Sequence, residues 1–429
     1  MSKHVDVIKV YVWGQYVGAV GLEPTLGYYV FEYDPKFVRS GIDLAPLAMP
    51  LSRADSPFVF PTLPELTYKR LPAMLADALP DDFGNNLIDA WMAERGIAKS
   101  AVTPLDRLAY MGRRGMGALE FKPAKNPRSS SSTDAIKMSK LVENARKAIS
   151  GDFNTDRHSK AALSQLIQVG TSAGGARAKA TIAWHRDTGE IRAGQFDVEP
   201  GFEHWLLKLD VGKDTELGES QNFGRIEYAY SMMARAAGIS MSECRLLEEN
   251  GRAHFMTRRF DRDGNRKHHM MSLCAMSHMD YKQVATHDYA QVFLTTNQLG
   301  LGQEALEEAF RRMVFNVLTV NCDDHSKNVS FLLKENGKWE LSPAYDLTHS
   351  YKPGNHWVSQ HLMSVNGKFA GAGHQDFMAV ADRFAIGRAS KLIKQVGEAV
   401  SAWTDFAVKA GLPQAETDRV GGHLLKRPV

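Results

Sequence analysis

The stretch around Asn336-Gly337 constrains this chain more than any other. Two strand-like runs, Val329–Lys334 and Lys338–Leu341, meet at that dipeptide, the strongest short-range hairpin signal a sequence offers. Ahead of them, Leu306, Phe310, Met313, Val314, Val317 and Leu318 recur at helical spacing. Between helix and hairpin lies the loop Asn321-Cys322-Asp323-Asp324-His325-Ser326-Lys327-Asn328, and Pro343-Ala344-Tyr345-Asp346 leaves the hairpin's far end. A hairpin returns the chain to where it began, so Asp346 is expected beside Asn328.

The product is an acid, an amide five residues on, and a second acid delivered by the next strand. Phosphoryl transfer from a nucleotide needs such a set: a loop Asp (Asp323) to accept the hydroxyl proton, and an Asn and an Asp (Asn328, Asp346) to hold Mg²⁺. The protein-kinase catalytic loop has the same Asp-to-Asn spacing. Here no His-Arg precedes the Asp, and Ala344-Tyr345-Asp346-Leu347 stands where Asp-Phe-Gly would be. The bland alternative is that these residues only form turns and cap backbone groups; their joint spacing argues against it. Asp324 reads as structural. Asp323-Asp324-His325 superficially suggests a metal hydrolase, but catalytic metal sites gather ligands from several places and no companion histidine motif is present.

At 429 residues the chain has length for two to three domain-sized units. Its net charge of +3 is too small to argue for nucleic acid by itself. Cys244, Cys274 and Cys322 are widely spaced, which favours neither a disulfide framework nor a zinc cluster and points to a reducing compartment. With no long apolar stretch, a cytoplasmic protein without membrane partners is expected.

Residues 1–120 read as a small β-rich unit. Val5-Asp6-Val7 and Val10–Trp13 run to a turn at Gly14-Gln15, Tyr16–Val20 returns, and Tyr28–Tyr33 makes a third strand. A helix from about Asn86 to Arg95 stops at Gly96. Residues 122–133 look like a linker, and Asp134 caps a further helix. Residues 134–262 form a candidate nucleotide-binding region, and 263–429 a mostly helical one. In the former, the small-residue loop Gly170–Lys179 precedes a strand Ala180–His185, a buried strand Trp205–Asp210 carrying Lys208, a helix Ile226–Ala237 containing Glu227, and a hairpin about Asn250-Gly251.

A lysine within an apolar strand is costly unless paired. Kinases set such a lysine on the phosphates and lock it with a helix Glu, for which Glu227 is the candidate; the alternative is an edge-strand lysine reaching solvent. The glycine loop leaves backbone N–H groups open to phosphate, yet it meets neither Walker, Rossmann nor kinase spacing. Ser172 lies inside it, and a phosphate there would compete with nucleotide phosphates for the same donors. Arg258-Arg259-Phe260-Asp261-Arg262 reads either as chain beside a nucleotide base or as a charged strand end.

Taken together, Gly174-Gly175-Ala176-Arg177-Ala178-Lys179, Leu206-Leu207-Lys208-Leu209, Arg259-Phe260-Asp261-Arg262, Asp323-x-His325-x-Lys327-Asn328 and Pro343-x-Tyr345-Asp346 resemble the HipA-type serine/threonine kinases of type II toxin–antitoxin pairs. Tyr33-Asp34-Pro35, Leu79–Gly84 and Gly115–Leu119 extend the resemblance over most of the chain. The resemblance implies an α+β, two-lobed, protein-kinase-like (HipA-like) fold with a small β-rich N-terminal subdomain and a mostly helical C-terminal lobe. It implies ATP and Mg²⁺ as cofactors, with Asp323 as base and Lys208 and Gly174–Lys179 on the phosphates. Arg258, Arg259 and Phe260 on the base side, and His325, Ser326, Lys327, Asn328, Tyr345 and Asp346, would complete the nucleotide and metal site. Ser172 falls at the family's autophosphorylation position. Implied partners are a protein substrate with a target serine, a HipB-like helix-turn-helix antitoxin and, mainly through that antitoxin, operator DNA. Glutamyl-tRNA synthetase is the family's best-known target class, but no residue here names the target. Arg258 departs from the acidic residue of the best-known member. A different class of function would be a catalytically weak, kinase-like corepressor scaffold.

Overall fold

Alternation of buried and exposed side chains along Val7–Val12 (β1), the two-residue period of a half-buried strand, begins the first sheet of the computed structural model, which describes residues 4–80, 82–125, 140–143, 178–210 and 222–425. Gln15–Glu23 (β2), Tyr28–Tyr33 (β3) and Leu119–Lys122 (β4) complete it in the order β3-β2-β1-β4. Ile8, Val10, Val12, Val17, Val20 and Phe31 fill its inner face.

The first turn differs from the expected Gly14-Gln15. Val12 pairs with Gln15, so Trp13 and Gly14 form the turn, both at positive φ (47° and 77°), as a type I′ hairpin requires. The Trp13 ring is held there by an Nε1–H bond to the Lys267 carbonyl at 2.7 Å. The helix expected from Asn86 runs Asp82–Ala93, and Gly96 beyond it sits at φ 76°. Of the helix expected after Asp134, residues 140–143 are helical; its remainder and the serine run lie outside the described residues.

A second sheet comprises Lys179–His185 (β5), Ile191–Ala193 (β6), Phe202–Lys208 (β7), Cys244–Glu249 (β8) and Arg252–Arg258 (β9), ordered β6-β5-β7-β9-β8. Asn250 and Gly251, at φ 44° and 77°, make the β8–β9 turn.

The chain divides into two compact units. The first comprises residues 1–221, 247–271 and 333–337, the second residues 222–246, 272–332 and 338–429. Helices dominate the second: Phe223–Ala236, Ala290–Gln298, Gly302–Leu318, His374–Arg383, Ala389–Ser401, Trp403–Lys409 and Gln414–His423. Its core includes Tyr230, edge-on to both Trp403 and Phe315 at 5.5 and 6.2 Å, the arrangement aromatic quadrupoles favour. The hairpin is present as Ser330–Leu333 followed by Trp339–Leu341. The fold is α+β, with a β-rich N-terminal part and a mostly helical C-terminal one.

Candidate active site

Gly302–Leu318 buries its apolar stripe and stops where Val320 takes a left-handed conformation, φ 47°. The chain is then pinned by the Cys322 N–H to the Ser350 carbonyl (3.0 Å) and enters the loop. The Asp323 side chain is 39% exposed. Its Oδ1 accepts the indole N–H of Trp357 at 2.6 Å, with His325 Nε2 at 3.7 Å from the same oxygen. The Asn328 amide Nδ2 donates to the Asp323 carbonyl at 2.7 Å, which closes the five-residue loop on itself. Ser326 is buried, its hydroxyl donating to the Met279 carbonyl at 2.7 Å. The Lys327 ammonium stands 5.2 Å from the Tyr281 ring centre.

The hairpin returns as expected. Tyr345 Oη donates to the Lys327 carbonyl at 2.6 Å; its proton is thus taken, and Ser330 Oγ donates to it at 2.5 Å. Asp346 follows, with φ 54° and its carbonyl 3.4 Å from Asn321 Nδ2. Burial lowers the pKa of His325, while the carboxylates of Asp323 and Asp346 pull it back up, so both acids lie within electrostatic reach of that ring. The structure therefore gathers Asp323, His325, Ser326, Lys327, Asn328, Tyr345 and Asp346 in one place.

Asp324 points the other way. It is 2% exposed and accepts from Tyr289 Oη (2.9 Å), His361 Nδ1 (2.9 Å) and the Leu362 N–H (2.8 Å). Asn316 Nδ2 donates to Tyr289 Oη at 2.9 Å, and Asn321 Nδ2 to Asn316 Oδ1 at 3.0 Å. A chain of buried polar groups thus runs from the Asp324 carboxylate to the backbone of Asp346. Burial, reinforced by Asp324, raises the Tyr289 pKa, which keeps its phenol a donor. The metal-hydrolase reading loses its second ligand here. Among the described residues, no group of three or more His, Cys, Asp or Glu is placed to hold a metal. The sequence singled out none of Tyr289, Asn316, Trp357 or His361 for the site, and named Asn321 only as the start of its loop. Only Asn316 carried a signal: it is an amide on the buried face of an apolar helix.

In the first unit, Lys179 of β5 stands directly opposite Lys208 of β7, and the two are 4% and 8% exposed. Residues opposed across an antiparallel pair share a face of the sheet. The next strand sets Phe255 opposite Lys208, its ring centre 5.6 Å from Nζ. β7 is an inner strand, between β5 and β9, so the edge-strand alternative for Lys208 is removed. Ala178 is buried beside Lys179, its carbonyl accepting from the Leu209 N–H at 2.9 Å. Glu227 is buried on the helix Phe223–Ala236, in the second unit. Gly174, Gly175, Ala176, Arg177 and Ser172 lie outside the described residues.

The charged motif after β9 does something the sequence did not indicate. Arg259 is 3% exposed; its Nε and Nη2 donate to the two carboxylate oxygens of Asp261 at 2.9 and 2.7 Å. Arg262 Nη1 (2.7 Å) and the Gly117 N–H (2.7 Å) also donate to Asp261, and Arg262 reaches the carbonyls of Gly115 and Gly117. Burial alone would raise the Asp261 pKa, but the two guanidinium groups outweigh it and hold the carboxyl well below the usual range. Gly117 has φ 76°, and a Cβ there would meet the Met270 nitrogen at 3.0 Å. Arg262 and Asp261 thus clamp the Gly115–Gly117 segment. Arg258 is exposed, 3.8 Å from Glu203, and Phe260 is half-buried.

The site thus joins a closed acid–amide loop and a second acid on an α+β fold. A family profile described as HipA-like C-terminal domain matches residues 171–403, and one described as HipA N-terminal domain matches residues 8–122. The chain belongs to the HipA family of toxin–antitoxin proteins. Among solved structures it is similar to one described as Shewanella oneidensis MR-1 Toxin Antitoxin System HipA, HipB and its operator DNA complex. That similarity has 15% identity and a TM-score of 0.65, covering 97% of this chain and 96% of that one. The Helicobacter pylori proinflammatory kinase CtkA matches more loosely, at 12% identity and a TM-score of 0.34, over 52% of this chain and 88% of that one. A comparison with curated proteins finds no match. Among the described residues no helix is long and apolar enough to cross a membrane.

Proposed function

We propose that this chain is an ATP- and Mg²⁺-dependent serine/threonine protein kinase, the toxin of its pair, which phosphorylates a cellular protein and itself at Ser172. The observation that carries the proposal is the bond from Asn328 Nδ2 to the Asp323 carbonyl, in a loop that Tyr345, the residue before Asp346, fastens at the carbonyl of Lys327, the residue before Asn328. With Nδ2 so engaged, Oδ1 is the amide atom left for a cation. That oxygen and the Asp346 carboxylate are the hard donors Mg²⁺ takes. The residues therefore fit the cofactor the family implies. Bound MgATP would supply the γ-phosphoryl group and the metal charge that offsets the developing negative charge.

Within this reading, Asp323 accepts the proton of the substrate hydroxyl. Asn328 and Asp346 hold the metal. Lys208 and Lys179 offer two positive charges on one sheet face to the phosphates, together with the loop Gly174–Arg177. Relatedness to HipA proteins, one of them solved with HipB and operator DNA, supports a HipB-like antitoxin as partner and DNA contact mainly through it. The target protein is a cellular one carrying a reactive serine, an aminoacyl-tRNA synthetase being the class the family suggests.

Incubation with γ-labelled ATP and Mg²⁺ tests the proposal. Wild type is expected to label itself, and Asp323→Asn and Asp346→Ala to label at least 100-fold less. Equal labelling of wild type and Asp323→Asn would remove the base. Absence of both labelling and an ATP-dependent thermal shift would favour a scaffold that acts only through its antitoxin.

A further inference from the structure

The structure assigns to Trp357 the positioning of the Asp323 carboxylate, a role that rests on the reading of Asp323 as the base. The indole N–H meets Oδ1 at 2.6 Å, while His325 lies at 3.7 Å from that same oxygen. Among the described residues Oδ2 has no hydrogen-bond partner. A half-exposed carboxylate on a loop would otherwise exchange rotamers and present either oxygen. Indole is a donor only: it can fix Oδ1, but it cannot take a proton in place of the carboxylate. The serine hydroxyl is thereby directed to Oδ2. Its O–H bond breaks toward that oxygen as the serine oxygen bonds to the γ-phosphorus and the bond to the ADP oxygen breaks.

The ring is delivered by ordered chain. Asn355 Oδ1 accepts the N–H groups of both Trp357 (2.8 Å) and Val358 (3.0 Å), an Asx turn, and Lys352 N–H bonds to the Val358 carbonyl at 3.1 Å. Trp357 is also stacked edgewise on His325, with ring centres 6.1 Å apart, and His325 leans on Tyr281 at 5.2 Å. Four and five residues later the same segment supplies His361 Nδ1 and Leu362 N–H to Asp324. One stretch of chain therefore grips two successive acids, Trp357 holding Asp323 and His361–Leu362 holding Asp324. Asp324 is locked inward, and Asp323 is held while its second oxygen stays open.

The test uses the full chain with MgATP. Initial self-labelling rates are measured against ATP concentration for wild type, Trp357→Phe, Trp357→His and Asp323→Asn, with melting temperatures alongside. Loss of one orienting bond predicts a maximal rate about tenfold lower in Trp357→Phe, with half-saturating ATP and melting temperature unchanged. Trp357→His, which retains an N–H, is expected to recover part of that rate. Loss of labelling in Asp323→Asn with wild-type labelling in Trp357→Phe overturns the positioning role and leaves the base standing. A Trp357→Phe defect that lies in half-saturating ATP also overturns it. Labelling by Asp323→Asn removes the reading on which it rests. Independently of turnover, the Trp357 indole proton resonance, identified by its absence in Trp357→Phe, should move in Asp323→Asn; if it stays put, the contact is absent in solution and the inference fails.

Discussion

Tyr345 gives its phenolic proton to the carbonyl oxygen of Lys327 at 2.6 Å, and that bond fastens the far arm of the hairpin to the loop bearing Asp323 and Asn328. Ser330 completes the arrangement from the hairpin's near arm. Tyr345→Phe removes the hydroxyl while keeping the ring. It should cost about 1 kcal/mol of stability but reduce MgATP-dependent labelling by about tenfold, because Asp346 loses its anchor one residue away. Urea unfolding and labelling rates on the same preparation check both; a stability loss with full labelling would contradict the coupling.

Asp346 has φ 54°, a backbone region that costs a residue with a Cβ roughly 1 kcal/mol or more and that glycine adopts freely. Asp346→Gly is therefore expected to melt at or above wild type while losing its MgATP-dependent thermal shift. A melting point several degrees below wild type would mean that the carboxylate contributes to the fold itself.

Asp261 sits fully buried between Arg259 and Arg262. Asp261→Asn leaves two buried cations without their counter-charge, for a loss of about 3–5 kcal/mol. Denaturant unfolding at pH 7 measures it, and a loss under 1 kcal/mol would show that the guanidinium groups find other acceptors.

His269 is 1% exposed and bonds through Nε2 to the Leu44 carbonyl at 2.9 Å. Burial pushes its pKa down to about 4, whereas an unfolded histidine titrates near 6.5. The unfolded chain therefore takes up a proton that the folded one refuses. The stability His269 contributes is complete above pH 6.5 and falls as pH drops toward 4, by about 3 kcal/mol in all. Unfolding free energies at pH 7, 6 and 5 should decline, and His269→Gln should flatten that decline.

What could be read from the sequence was what neighbouring residues decide. Asn250-Gly251 announced its hairpin because a type I′ turn demands positive φ at two successive residues, and both have it. At the other hairpin only Asn336 is left-handed (φ 59°), the turn closing from the Gly337 N–H to the Lys334 carbonyl at 2.9 Å. The Leu306–Leu318 stripe announced its helix by period. The gathering of Asp323, Asn328 and Asp346 followed from those two features. Trp357, Tyr289 and His361 reach the acidic pair from 34 to 37 residues away, through tertiary packing that leaves no local period. Arg259-Phe260-Asp261-Arg262 read either as chain beside a nucleotide base or as a charged strand end, because sequence cannot tell that Asp261 is enclosed by the guanidinium groups on both sides. The first turn slipped by one residue because Trp13 is an unusual occupant of left-handed backbone, held there by a partner at Lys267.

The first compact unit draws on residues 1–221, 247–271 and 333–337. A ribosome thus cannot finish it until the hairpin tip has emerged, by which time the loop carrying Asp323 and Asn328 has already been synthesised. A chain cut short before the hairpin tip lacks the last residues of the first unit, 333–337, and with them the stretch of the second that carries Asp346.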